Sequence, residues 1–166
     1  MEKPNATILV IDDEKIIHES CGRILQEKGY VVETAMSGQE ALEKLKGKRY
    51  DLVLSDIKMP GMSGVETLEK MKKDIPDITV VMFTGYSSVD TARDTMKLGA
   101  FDYIPKPFTP EELLSVVQKA LNKEVTTREK KMIEKQFEEI TTAIRKTLNL
   151  REVLNLVVTG VVKLLK

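Results

Sequence analysis

The sequence predicts an α/β fold, a doubly wound parallel sheet with helices on both faces and a long helical extension at its C-terminal end. Three observations carry this expectation. Five short runs rich in β-branched and aromatic residues recur over residues 1–122: TILVI (7–11), YVVETA (30–35), DLVLS (51–55), ITVVMF (78–83) and FDYI (101–104). Helical patterns with start and stop signals lie between them. Beyond residue 122 the strand-like runs give way to dense charge of both signs.

Taken in order, the first run leads directly into Asp12 and Asp13. The helix after it carries His18 and Cys21 in mid-pattern, where packing or surface roles are expected. Ser37 with Glu40 opens the second helix, a capping oxygen three residues ahead of an acid. The third run is apolar to its end, as a strand buried on both faces should be. It stops on Asp56 and breaks into Pro60, Gly61 and Gly64, so Asp56 is either polar punctuation or a working group. Ser63 with Glu66 opens the third helix, and Ser87 with Asp90 the fourth. The fourth run ends at Thr84-Gly85, and the fifth enters Pro105-Lys106-Pro107. Thr109-Pro110-Glu111-Glu112 then places proline at the first helical position, where its missing N–H costs nothing. Gly29, Gly47 and Gly99 stand where helices should stop.

Two patterns follow in the extension. Ile133, Phe137, Ile140 and Ile144 keep a 4-3-4 spacing, the seam of a dimeric coiled coil or the stripe of an amphipathic helix lying on its own domain. Further on, Leu150, Val153, Leu154, Val157, Val158, Val161, Val162 and Leu165 form a wide apolar face that Asn149 could cap. The expected organisation is a domain over 1–122, a helical linker over 123–148, and an amphipathic helix over 149–166 that reads as the first element of a truncated second domain.

Composition narrows the function classes. A chain of 166 residues, 42% hydrophobic, suffices for one well-packed domain with an appendage. Its formal net charge of zero advertises no nucleic-acid or anionic-membrane surface. One cysteine excludes an internal disulfide and fits a reducing compartment. The N-terminal MEKPNATILVIDD lacks the layout of a signal peptide. The apolar stretch from Leu154 to Leu165 is interrupted by Thr159 and Lys163 and is too short to span a bilayer. A cytoplasmic protein is expected.

The strand ends carry the chemistry. In a doubly wound sheet the first and third strands are commonly neighbours, with the ligand crevice at their carboxyl ends. That gathers Asp12, Asp13 and Asp56. Two like charges about 4 Å apart repel by roughly 4 kcal/mol at an effective dielectric near ~20, so the cluster needs a raised pKa or a cation. Oxygen ligands without neighbouring His or Cys favour a hard ion, and Mg2+ suits a few carboxylates with water and phosphate. Thr84 offers a hydroxyl beside a small residue. Lys106, on a stiff turn between two prolines, can pair with the carboxylates and later with a phosphoryl oxygen.

Residues 5–122 resemble the receiver domain of bacterial response regulators. The resemblance runs through ILVIDDE, DLVLSDIKMPGMSG, VVMFTGYSS and GAFDYIPKPF, in the family's order. It implies a flavodoxin-like fold with strand order 2-1-3-4-5 and a cis Lys106–Pro107 bond. It makes Asp56 the phosphorylated residue and sets Asp12, Asp13, Asp56 and the Lys58 carbonyl around Mg2+. Thr84 and Lys106 would contact the phosphoryl group, and Tyr103 would be the aromatic that turns inward when the domain switches. Lys58 and Tyr86, two residues beyond Asp56 and Thr84, stand where they either obstruct a hydrolytic water and tune the lifetime of the phosphorylated state or merely decorate exposed loops. The implied partner is a sensor histidine kinase or phosphotransfer protein; the 4-3-4 stripe adds a second copy joined through the C-terminal helix, and the zero net charge points to no direct nucleic-acid or membrane contact. The tail resembles, more weakly, a signalling helix entering a GAF sensory domain.

Two other classes compete with this switch. An aspartyl phosphatase acting on outside substrates would need a second acid two residues after its nucleophile, where Lys58 stands. An interaction module that never turns over phosphate would not need the Asp, Thr and Lys set.

Overall fold

The structure is a computed structural model that describes residues 6–85, 94–123 and 131–143. The chain divides into two compact units, Met1–Glu124 and Val125–Lys166. In the first, the strands are β1 (Thr7–Ile11), β2 (Val31–Ala35), β3 (Leu52–Asp56), β4 (Val80–Gly85) and β5 (Asp102–Lys106). They form one parallel sheet in the order β2-β1-β3-β4-β5, the predicted topology. The helices are α1 (Lys15–Gln26), α2 (Gly38–Gly47) and α3 (Gly64–Asp74). Within the described residues, 94–97 (α4) and 110–123 (α5) are also helical.

Alternation along the strands separates two cores. Leu9, Ile11, Val53, Val80 and Met82 meet Ala41 and Leu45 of α2 and Leu68 and Met71 of α3. Ile8, Val10, Leu52, Leu54, Val81 and Phe83 meet Cys21 and Leu25 of α1 and Leu113 and Val117 of α5. Each fully buried aliphatic or aromatic side chain contributes about 1.5–3 kcal/mol. All five residues of β3 are buried: the apolar Leu52, Val53 and Leu54, and after them Ser55 and Asp56.

The predicted caps are present where they can be seen. Ser63 and Glu66 form a full capping box at α3, and Thr109 and Glu112 exchange the same pair of bonds at α5. At α2, Ser37 accepts from the Glu40 N–H, but the Glu40 carboxylate takes the Met36 N–H instead of that of Ser37. Gly29 and Gly99 adopt positive φ (83° and 94°) after helices, whereas Gly47 is still helical. The expected cap at Ser87 and Asp90 lies outside the described residues.

In the second unit, residues 131–143 are helical. Ile133, Phe137 and Ile140 are exposed there by 63%, 71% and 57%. Ile144 and the amphipathic pattern over 149–166 lie outside the described residues. Among the described residues no helix is long and apolar enough to cross a membrane.

Candidate functional site

Three strand ends converge on one acidic crevice. Asp12 follows β1, its N–H still bonded to the Ala35 carbonyl at 3.1 Å, which fixes its main chain beside β2. Its side chain is fully buried. Asp56 is the last residue of β3 and 7% exposed. Asp13 is exposed. Carboxylate oxygens of Asp12, Asp13 and Asp56 all lie within 4.8 Å of one another. The group is made of carboxylates alone, and this donor chemistry fits a hard divalent cation.

Lys106 bridges the cluster. Its Nζ donates to Asp12 Oδ2 at 2.6 Å and to Asp56 Oδ2 at 3.1 Å. The other oxygens are engaged as well: Asp12 Oδ1 accepts the Glu14 N–H at 2.9 Å, and Asp56 Oδ1 the Lys58 N–H at 3.4 Å. Burial holds the Asp56 carboxyl above the ordinary carboxylate range, against the opposing pull of Lys106. Burial also pulls on the Lys106 ammonium, but its bonds to Asp12 and Asp56 outweigh this and hold it above the usual lysine value. The lysine is therefore a firm countercharge to one carboxylate's worth of the cluster, and the remaining negative charge is left for a cation.

The backbone beneath Asp56 is equally constrained. α3 begins at Gly64, whose N–H donates to the Ile57 carbonyl at 2.9 Å. A Cβ at Gly64 would lie 1.8 Å from the Asp56 carbonyl oxygen, so glycine is required for the helix to start this close to the strand end.

Thr84 is buried in β4 (4% exposed), and Tyr103 is 45% exposed on β5, paired in register with Met82. The two therefore occupy different environments. Lys58 is exposed in the loop after β3, and Tyr86 lies outside the described residues. His18 is half-buried in α1, and Cys21 is buried there with burial pushing its thiol up to about 12. Neither joins the acid group.

Two neighbours of Lys106 were not legible as such in the sequence. Glu14 brings a carboxylate oxygen to 3.8 Å of Nζ, and the only hint was a third acid after Asp12 and Asp13. Phe83, fully buried, presents its ring 5.7 Å from the same ammonium. In the sequence it is one more apolar residue of β4.

A doubly wound five-stranded sheet with paired acids, a strand-end aspartate and a bridging lysine at its carboxyl edge defines a class of signalling domain. Residues 8–118 match the response regulator receiver domain model, and the chain belongs to that family, whose members work with histidine kinases in phosphorylation-dependent signalling. It is 42% identical over 121 residues to the transcriptional regulatory protein ZraR of Klebsiella oxytoca, covering 73% of this chain and 27% of that protein. It is 38% identical over 115 residues to the DNA-binding transcriptional regulator NtrC of Escherichia coli K12, covering 69% and 24%. The crystal structure of a receiver domain protein from Clostridium thermocellum superposes with a TM-score of 0.70 at 37% identity, covering 74% of this chain and 98% of that one. The chain thus spans about a quarter of the length of the two regulators.

Proposed function

We propose that this chain is a phosphorylation switch whose acceptor is Asp56 and whose donor is a phosphohistidine on a sensor histidine kinase or phosphotransfer protein. The observation that carries this reading is the pair of hydrogen bonds that one ammonium, Lys106 Nζ, donates to Asp12 and Asp56. An Asp56 carboxylate oxygen forms the new O–P bond as the donor N–P bond breaks, and the electron pair returns to the imidazole. Positioning and charge neutralisation supply most of the catalysis in such a transfer. Mg2+, held by Asp12, Asp13, Asp56 and the main-chain carbonyl of Lys58, would neutralise charge on the phosphoryl oxygens.

Lys106 exchanges part of its contact with Asp56 for a phosphoryl oxygen, which keeps the new anion paired. Thr84 and the Gly85 N–H grip the acyl phosphate. The inward movement of Thr84 opens space for the exposed Tyr103 ring, and the surface around β5 and α5 changes. Lys58 and Tyr86 tune the lifetime of the phosphorylated state. No outside substrate is turned over.

The output runs through the C-terminal helix. Residues 1–122 act as the receiver, and the helix over 131–143 acts as the linker that carries its output. The exposed stripe of Ile133, Phe137 and Ile140 supports association with a second copy. The protein works in the cytoplasm without contacting nucleic acid or membrane itself.

The test is to incubate the chain with Mg2+ and acetyl phosphate and weigh it intact. One phosphate should be gained, and none with EDTA added before the donor or in Asp56→Asn. An Asp56→Asn chain that gains phosphate at the wild-type rate would reject the acceptor. A folded wild-type chain that takes no phosphate from either acetyl phosphate or a phosphorylated kinase domain would favour the stripe, acting as an unphosphorylated dimerisation module.

A further inference from the structure

A lysine ammonium carries three N–H donors; at Lys106 two of them serve Asp12 and Asp56, and a Glu14 carboxylate oxygen stands 3.8 Å from the nitrogen. The ammonium also stands over the ring of Phe83, 5.7 Å from its centroid, within the range of about 6 Å over which a cation is attracted to an aromatic face. Phe83 has little freedom to turn away. It is fully buried in β4, one residue before Thr84 and paired in register with Asp56. Its ring stacks on that of Phe108, 5.1 Å between centroids and 13° between planes. Phe108 lies just beyond Lys106, between β5 and α5. The two rings thus join the strand that carries Thr84 to the segment that follows the lysine.

The geometry points to Phe83 as a positioning residue for Lys106, an aromatic floor that holds the ammonium at the acid cluster, with Phe108 fixing the plane of the ring. This rests on the reading of Asp56 as phosphoryl acceptor. A ring face attracts the cation through its quadrupole, yet it takes no proton and offers no lone pair to rival the phosphoryl oxygens. A carboxylate in the place of the ring, closer than Glu14 at 3.8 Å, would compete with them. The floor therefore keeps Lys106 in reach while its partner Asp56 changes from carboxylate to acyl phosphate. Leucine at this position would fill most of the same apolar space without the quadrupole.

The experiment uses the full chain, with Phe83→Leu as the loss variant and Phe83→Tyr as the conservative one. The first readout is the NMR shift of the Lys106 ε-methylene protons, with no phosphodonor present. The wild type should show them displaced upfield by the Phe83 ring current, with the displacement lost in Phe83→Leu and kept in Phe83→Tyr. The second readout is the rate of phosphorylation against acetyl phosphate concentration at saturating Mg2+. Phe83→Leu should be slower by roughly two- to fivefold, the factor that a cation–π contact at a partly open site supports, and Phe83→Tyr should recover. Undisplaced Lys106 protons in the wild type would overturn the inference, and so would a folded Phe83→Leu that is phosphorylated at the wild-type rate. The wild-type shift decides the matter if Phe83→Leu fails to fold. Because it needs no phosphorylation, it also separates failure of this inference from failure of Asp56 as acceptor.

Discussion

Lys106 neutralises carboxylates that the sheet has already desolvated, so its removal acts on stability as well as signalling. In Lys106→Met, Asp56 loses the partner that restrains its upward shift. A carboxyl whose folded pKa exceeds its unfolded value stabilises in acid, and this contribution is lost as pH rises through the two values. The melting gap between wild type and Lys106→Met should therefore widen from pH 4 to pH 7, reaching on the order of 2 kcal/mol. Added Mg2+ should narrow it, and melts at both pH values with and without the ion check both points. A second residue-scale prediction has the opposite sign. Glu33 on β2 is bonded to Lys48 and to the Tyr50 hydroxyl, the latter at 2.6 Å, and these bonds hold its carboxyl below the ordinary glutamate value. Its contribution is present above about pH 4.5 and fades below it. Tyr50→Phe should cost about 0.5–1 kcal/mol at pH 7, a modest figure because Glu33 is partly solvated. The difference should shrink as the pH falls through the folded carboxyl's lowered range, as a denaturant titration would show.

At the scale of elements, the tight junction between β3 and α3 makes Gly64→Ala the most disruptive small change. Its methyl would meet the Asp56 carbonyl, which belongs to rigid backbone, and either α3 or the strand end must shift. A loss of about 3 kcal/mol or more is expected, with a drop in phosphorylation rate larger than the stability loss explains, as melting and acetyl phosphate assays together would show. The five strands and the helices between them were legible in the sequence because the two periods alternate, with cap residues agreeing at α2, α3 and α5. The strand ends were less so. The runs marked by apolar residues stop at Phe83 and Ile104, whereas β4 and β5 continue through Gly85 and Lys106. Thr84, Pro105 and Lys106 pair in register there with no hydrophobic signature, since backbone pairing alone extends the strands. The acids and the lysine were legible as a group because each closes a strand. Phe83 was not, since an apolar residue that packs a core and one that faces a cation look alike in one dimension.

For the whole molecule, the exposed stripe on residues 131–143 sets the prediction. Light scattering should find the full chain dimeric and the chain truncated after Asn122 monomeric and folded, since its two cores draw only on residues before that point. A dimer that persists after truncation would reject the linker as the source of association. The bridge from Lys106 to Asp12, spanning 94 residues of sequence, has a wider consequence. A partly ordered chain in which β1 and β3 have paired and β5 has not leaves the acids of the crevice facing one another without their ammonium. Such a species carries an electrostatic penalty that docking of the last strand removes. The same acids and ammonium thereby favour all-or-none assembly, and under the proposed function competence to receive phosphate would report that β5 is in place.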